Sequence, residues 1–190
     1  MGAGGVLPSR DPQAEVLHES DHTRVSRLFV SGRPVIRKEP LGPDADRRLR
    51  HERAMLERLR DVPGVAQLAE APRDPESILL ADVDGTGLAG RVTPLAIDAL
   101  IDLASGLARA VAGTHQRGVM HRDITPANIV ISADGTPCLV DFALATSFAE
   151  IHPEFTHHTQ ILGTLAYLAP EQTGRCLLYT SPSPRDRTRS

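Results

Sequence analysis

Between residues 16 and 38, short apolar runs separated by polar residues, VSRLFV and PVIRK among them, predict two or three strands. A Ser-Gly turn at 31–32 joins the last two. The period then changes. Over residues 44–60, Leu49, Glu52, Met55, Leu56 and Leu59 fall on one face of an amphipathic helix, and Pro63 and Gly64 end it. Two more strands are predicted around 65–68 and 78–81. The strongest helical period runs from 96 to 116, with Ile97, Leu100, Ile101, Ala104, Leu107 and Val111 as its apolar stripe. Gly118 stands where a glycine closing that helix belongs. The polar decapeptide HRDITPANIV (121–130) follows, then a turn at 133–136 and a buried-type strand, CLVDFALA. Strands first and helices later predict an α+β protein of two lobes, and there is no internal repeat.

Composition narrows this picture. With 190 residues the chain has room for one domain or two small lobes. Aromatic residues make up 3% and Trp is absent, so the core must rest on Leu, Ile, Val and Ala. A net charge of -3 gives no basic footprint for nucleic acid or an anionic membrane. No apolar run reaches the roughly 18–20 residues that span a bilayer. Residues 1–13 are rich in Gly and Pro, read as a flexible leader, and lack a signal-peptide core. Cys138 and Cys176 make neither a disulfide framework nor a zinc site, and Cys138 has no neighbouring cation to activate it. A reduced, cytoplasmic protein is expected.

The chemistry gathers in the decapeptide and after it. Asp123 and Asn128 lie on a loop before the IVI strand, and Asp141 stands 18 residues after Asp123. A short hairpin between them would bring two carboxylates and an amide to one side of a small sheet, a hard-oxygen set suited to Mg²⁺ with phosphate. Lys38 shares a strand face with Ile36. Glu52 lies on the inward helix face, where a carboxylate needs a partner, and Lys38 is the reasonable one.

VIRK, then HRDITPAN, DFA and GTLAYLAPE, in this order and spacing, resemble the signature set of protein kinases of the serine/threonine type. The resemblance covers residues 14–175: an N-lobe and hinge over 14–83, and a helical, incomplete C-lobe over 84–175 holding the catalytic loop, metal motif and activation segment. It implies that Asp123 orients the substrate hydroxyl and accepts its proton. Asn128 and Asp141 would hold Mg²⁺, and Lys38, paired with Glu52, would contact the phosphates of ATP. Leu80, Ala81, Asp82 and Val83 would form the hinge that meets adenine. Thr164 would face Asp123, and Arg122 implies control through the activation segment, with Thr156, Thr159 and Thr164 as candidate phosphorylation sites. GTLAYLAPEQTGR further resembles the kinase module of large bacterial signalling proteins, in which ATPase, GAF and sensor histidine kinase domains follow. The partners implied are a protein substrate and those downstream domains.

The sequence departs from the pattern in places. His18, Ser20 and Thr23 stand where the glycine-rich loop has glycines, and side chains there hinder close approach to phosphates. Ala143 replaces the Gly of DFG, and Thr125 replaces a Lys near the transferred phosphate. The alternative function is therefore a pseudokinase, a nucleotide-binding regulatory module without turnover. A small-molecule phosphotransferase would share Asp123 and Asn128 but lacks an APE segment. His121 reads as a packing residue, and His152, His157 and His158 as a solvated loop. Residues 176–190, CLLYTSPSPRDRTRS, carry three Arg and one Asp, a net of +2. They read either as translated vector sequence joined where the natural sequence is cut near Arg175, with the domain incomplete, or as a disordered basic tail with Ser-Pro sites. Nothing after Arg175 resembles the later C-lobe helices, which leaves the apolar face of Ile97–Val111 partly uncovered, so the chain alone is expected to be poorly soluble and without turnover.

Overall fold

The computed structural model describes residues 14–91, 94–150 and 163–168. The expectations for residues 1–13, His152, Thr156, His157, His158, Thr159, the segment 169–171 and the 176–190 tail lie outside the described residues. Three strands, β1 (Glu15–Glu19), β2 (Thr23–Val30) and β3 (Arg33–Pro40), form where the alternating runs placed them. Ser31 and Gly32 both take positive φ (52° and 78°), the geometry of a two-residue hairpin whose twist matches its strands. With β4 (Ile78–Ala81) they make an antiparallel sheet in the order β1-β2-β3-β4. Helix α1 (Ala45–Arg58) packs on it, burying Leu49, Glu52, Arg53, Met55 and Leu56, as the sequence period requires.

The second part of the chain holds helix α2 (Ile97–Gln116) against two small sheets. One joins β5 (Gly85–Gly87), β7 (Ile129–Ser132) and β8 (Pro137–Leu139); the other joins β6 (Val119–Met120) to β9 (Thr146–Ser147). Antiparallel strands and two helices in this order are those of a two-lobed kinase fold. One apolar cluster runs through both parts, from Leu49, Met55 and Leu56 through Ile78 and Leu80 to Leu139 and Phe142. A smaller cluster, Leu28, Val35 and Leu79, sits on the first sheet. Among the described residues, no helix is long and apolar enough to cross a membrane.

Three expectations are corrected. Residues 65–68 are not a strand: Val65 bridges to Leu139 and Leu68 to Leu80, so the segment passes from one sheet to another. The Gln67 side chain fixes that passage, donating to the carbonyls of Leu59, Val62 and Val65. CLVDFALA forms a strand only as far as Leu139, because Asp141 takes a φ of 63° and turns the chain inward. In α2 the buried face is Leu103, Ala110 and Thr114, with Leu107 and Val111 packed beside them. Ile97, Leu100 and Ile101 are 76%, 52% and 56% exposed, and Ala104 is exposed too. The helix docks through its small residues: a Cβ on Gly106 would lie 2.5 Å from Pro137 Cγ, and one on Gly113 2.6 Å from Val62 Cγ1. Close approach selects small side chains, so the larger apolar residues stand on the other side.

Candidate functional site

Strand β3 delivers Lys38 with its backbone paired to Val25 on one side and Ile78 on the other. Its ammonium donates to Glu52 Oε1 at 2.7 Å and to Asp141 Oδ1 at 2.7 Å, so one cation joins strand, helix and the segment after β8. Glu52 Oε1 also accepts the Phe142 N–H at 3.1 Å. Asp141 Oδ1 accepts the Ala143 N–H at 3.2 Å. Phe142 is fully buried and meets the His121 ring edge-on at 4.6 Å.

Burial works against the Lys38 ammonium, but the two carboxylates outweigh it and raise its pKa. Burial lifts Glu52 above the ordinary carboxylate range, against the opposing pull of Lys38. Asp141 lies below that range: burial opposes ionisation, and Lys38 with the Ala143 N–H more than offsets it. Lys38 and Glu52 are buried, whereas the Asp141 side chain is 42% exposed. Asp141 is thus the open member of the trio.

Residues of the loop before β7 form a second group with Thr164. Asn128 Nδ2 donates to Asp123 O and Oδ2, both at 2.9 Å. Asp123 Oδ1 accepts two bonds from Thr164, one from its N–H and one from its hydroxyl, each 2.9 Å. Gly163 makes room for this contact at φ 115°, where a Cβ would lie 2.9 Å from Leu168 and 3.1 Å from Arg122 O. The β7–β8 hairpin joins the two groups, since Val140 N–H donates to Asn128 O at 3.0 Å. His121 braces the same junction. Its Nδ1 accepts the Asp123 N–H, which leaves Nε2–H to donate to Val140 O at 3.0 Å. Burial lowers its pKa and keeps this neutral form. Arg122 and Asp141 hold positive φ (71° and 63°), a strain of about 1–3 kcal/mol each of the kind found at functional sites.

Asn128 Oδ1 and Asp141 Oδ2 remain as hard oxygen donors after these bonds. That set fits Mg²⁺, which takes one or two protein oxygens and completes its shell with phosphate and water. Among the described residues there is no cluster of three or more His, Cys, Asp or Glu that would form an all-protein metal cage.

The remaining sequence candidates are engaged elsewhere, although Ala81 is exposed. Leu80 and Ala81 lie in β4, where Ala81 N–H is used by Gln67 O. Asp82, 5% exposed, is bound by the Arg27 guanidinium and accepts the Asp84 N–H. Val83 packs against the main core. Thr125 is 4% exposed, and its carbonyl accepts the Asn128 N–H. The β1–β2 turn closes on itself: Ser20 Oγ accepts the N–H groups of His22 and Thr23 at 3.3 and 3.2 Å. His22 and Thr23 line a cavity of about 200 Å³ with Lys38, Glu52 and Ala143. Burial pushes the Cys138 thiol up to about 11, in keeping with an inert strand residue. Two contributors carried no sequence signal: His51 bonds Ala145 O at 2.7 Å, and Arg53 donates to Asp74 O at 2.7 Å.

Comparison with known proteins gives the same picture. Residues 33–183 match the family model "Protein kinase domain". A probable serine/threonine-protein kinase, PkwA of Thermomonospora curvata, is 38% identical over 152 residues, which is 75% of this chain and 20% of that protein. The serine/threonine-protein kinase PknB of Mycolicibacterium smegmatis is 35% identical over 108 residues, 55% of this chain and 17% of that one. CBL-interacting protein kinase 19 of Oryza sativa subsp. japonica is 32% identical over 186 residues, covering 90% of this chain and 36% of its own. The chain therefore spans about a fifth of the length of the first two. The family match reaches from the strand that carries Lys38 past the segment that carries Thr164, and the chain belongs to the protein kinase domain family.

Proposed function

We propose that the chain is the ATP- and Mg²⁺-dependent domain of a bacterial serine/threonine protein kinase, acting in the cytoplasm on protein hydroxyls. The observation that carries this reading is Lys38, held between Glu52 and Asp141 at 2.7 Å each. A lysine so fixed meets phosphate oxygens without further reorganisation, and phosphoryl transfer depends mostly on such positioning and charge. Residues 14–83 then form the N-lobe and hinge, with Leu80–Val83 beside adenine, and 84–175 the C-lobe portion. Asp123 orients the acceptor hydroxyl and takes its proton. Thr164 and Asn128 fix its carboxylate, which would otherwise rotate. Asn128 and Asp141 supply the oxygens for Mg²⁺, which when bound neutralises charge building on the phosphates. The ATPase, GAF and histidine kinase domains belong to the longer protein. In the longer protein, labelled γ-phosphate should pass to Ser or Thr of a protein acceptor, falling at least about 100-fold in Asp141→Ala. Undiminished labelling in that variant would sink the assigned roles.

A second reading is favoured by the β1–β2 turn. Its His22 and Thr23 N–H groups are spent on Ser20, not directed outward. A regulatory module that holds nucleotide weakly would show a nucleotide-dependent rise in melting temperature and no transfer of label.

A further inference from the structure

We infer that His51 is a positioning residue: it fixes the rotation of α1 so that Glu52 meets Lys38 and Phe142. This rests on the proposed phosphoryl-transfer reading only for its kinetic consequence, because the contact itself is geometric. His51 and Glu52 are consecutive, so their side chains leave the helix about 100° apart. A single bond between helix and segment would act as a hinge. Two bonds in different directions remove that freedom. Glu52 Oε1 takes the Phe142 N–H at 3.1 Å, and His51 Nε2–H donates to Ala145 O at 2.7 Å. The two acceptor and donor groups on the segment are joined in turn, since Ala145 N–H donates to Phe142 O at 3.1 Å. The helix is thus bolted to a closed turn.

The apolar face of α1 shares a core with Phe142 and Ala145, and its other hydrogen-bonding side chains reach elsewhere. Arg48 reaches the other way, to the carbonyls of His22 and Leu41, and ties the helix to the β1–β2 turn. Arg53 holds the 74–77 loop through Asp74 O and Ser77 O. These hydrogen bonds all lead away from residues 141–145. Without the His51 bond, Glu52 keeps its partners but α1 can roll, and a roll displaces Lys38 and Asp141 together. Asp141 is the exposed member of that trio, so displacement is felt where phosphate and metal would sit.

The test is hydrogen exchange on the full chain, read in peptides covering 141–148 and 23–40, for wild type, His51→Ala and His51→Gln. Alanine removes the donor, whereas the glutamine amide can still reach a carbonyl. In His51→Ala the Phe142 and Ala145 amides should exchange about tenfold faster, with 23–40 unchanged. His51→Gln should stay within about twofold of wild type. In the transfer assay on the longer protein, His51→Ala should lose about tenfold in kcat while KM for the protein acceptor stays within about twofold, and His51→Gln should recover most of it. Unchanged exchange in His51→Ala overturns the inference. So does equal deprotection of 23–40, which would mark a general loss of folding, or a His51→Gln as open as the alanine variant. If exchange follows the expected pattern while the wild-type longer protein transfers no label, the positioning role stands and the kinase reading fails.

Discussion

Lys38 carries more of the site than any other side chain, and the consequences of removing it can be worked out from its partners. In Lys38→Met the Glu52 carboxylate stays 4% exposed, keeps the Phe142 N–H and loses its counter-charge. A buried carboxylate without a cation takes up a proton instead of remaining charged. Starting from the ordinary value of 4.5, doing so at pH 7 costs about 3 kcal/mol, so that figure bounds the destabilisation. The pH dependence has a definite sign. Glu52 in the variant binds its proton more tightly folded than unfolded, so stability falls as pH rises above 4.5 towards the folded value. Urea unfolding should therefore show Lys38→Met about 3 kcal/mol below wild type at pH 7 and about 1 kcal/mol below at pH 5. Adding Glu52→Gln should remove most of that pH dependence. A penalty equal at both pH values would mean that the loss comes from packing of the lysine stem and not from the stranded carboxylate.

Helix α2 shows how packing overrides both propensity and pattern. Gly106 and Gly113 each cost about 1 kcal/mol relative to alanine inside a helix. They are tolerated because the helix lies against Pro137 and Val62, with Ala110 fully buried between them. Gly113→Ala therefore sets a helix gain of about 1 kcal/mol against a methyl placed 2.6 Å from Val62 Cγ1. Valine is stiff about χ1, so the clash should win and lower stability by about 1–3 kcal/mol in chemical denaturation. Combining it with Val62→Ala should recover part of the loss, and no recovery would place the strain elsewhere. The same helix explains what the sequence could and could not disclose. Its bounds were legible from its period, and so was α1, whose inward face includes Glu52. The juxtaposition of Asn128 and Asp141 was legible too, because a short hairpin leaves the chain little choice. The buried face of α2 was not, because apolar content ranks Ile97 and Ile101 above the glycines that make the contact. The 65–68 segment failed as a strand for a related reason: Gln67 bonds its neighbours' carbonyls, which no local alternation records. His51 lies next to Glu52 in sequence, yet its partner Ala145 is 94 residues away.

The apolar cluster that supports the site is continuous from α1 to Phe142, so the elements carrying Lys38, Glu52 and Asp141 are fixed by one core, not by two independent ones. That core stops at the inner face of α2. On its outer face Ile97, Leu100 and Ile101 stand 76%, 52% and 56% exposed, one helical turn apart on a single side. A cluster of large exposed apolar side chains drives association between copies of a chain in water. The expected poor solubility thus has a specific address. Ile97→Glu with Ile101→Lys tests it with little risk to the fold. The acid falls in the first turn of the helix, where the macrodipole favours it, and the pair is spaced i,i+4 with the acid N-terminal. Neither isoleucine belongs to the buried set, so thermal stability should change by less than about 0.5 kcal/mol. Light scattering over a concentration series should show association in wild type and a shift towards monomer in the double variant. If the variant associates as strongly with an unchanged melting temperature, the face of α2 is not the surface responsible. If its melting temperature drops instead, these side chains are packed in solution, and α2 has a partner on that side.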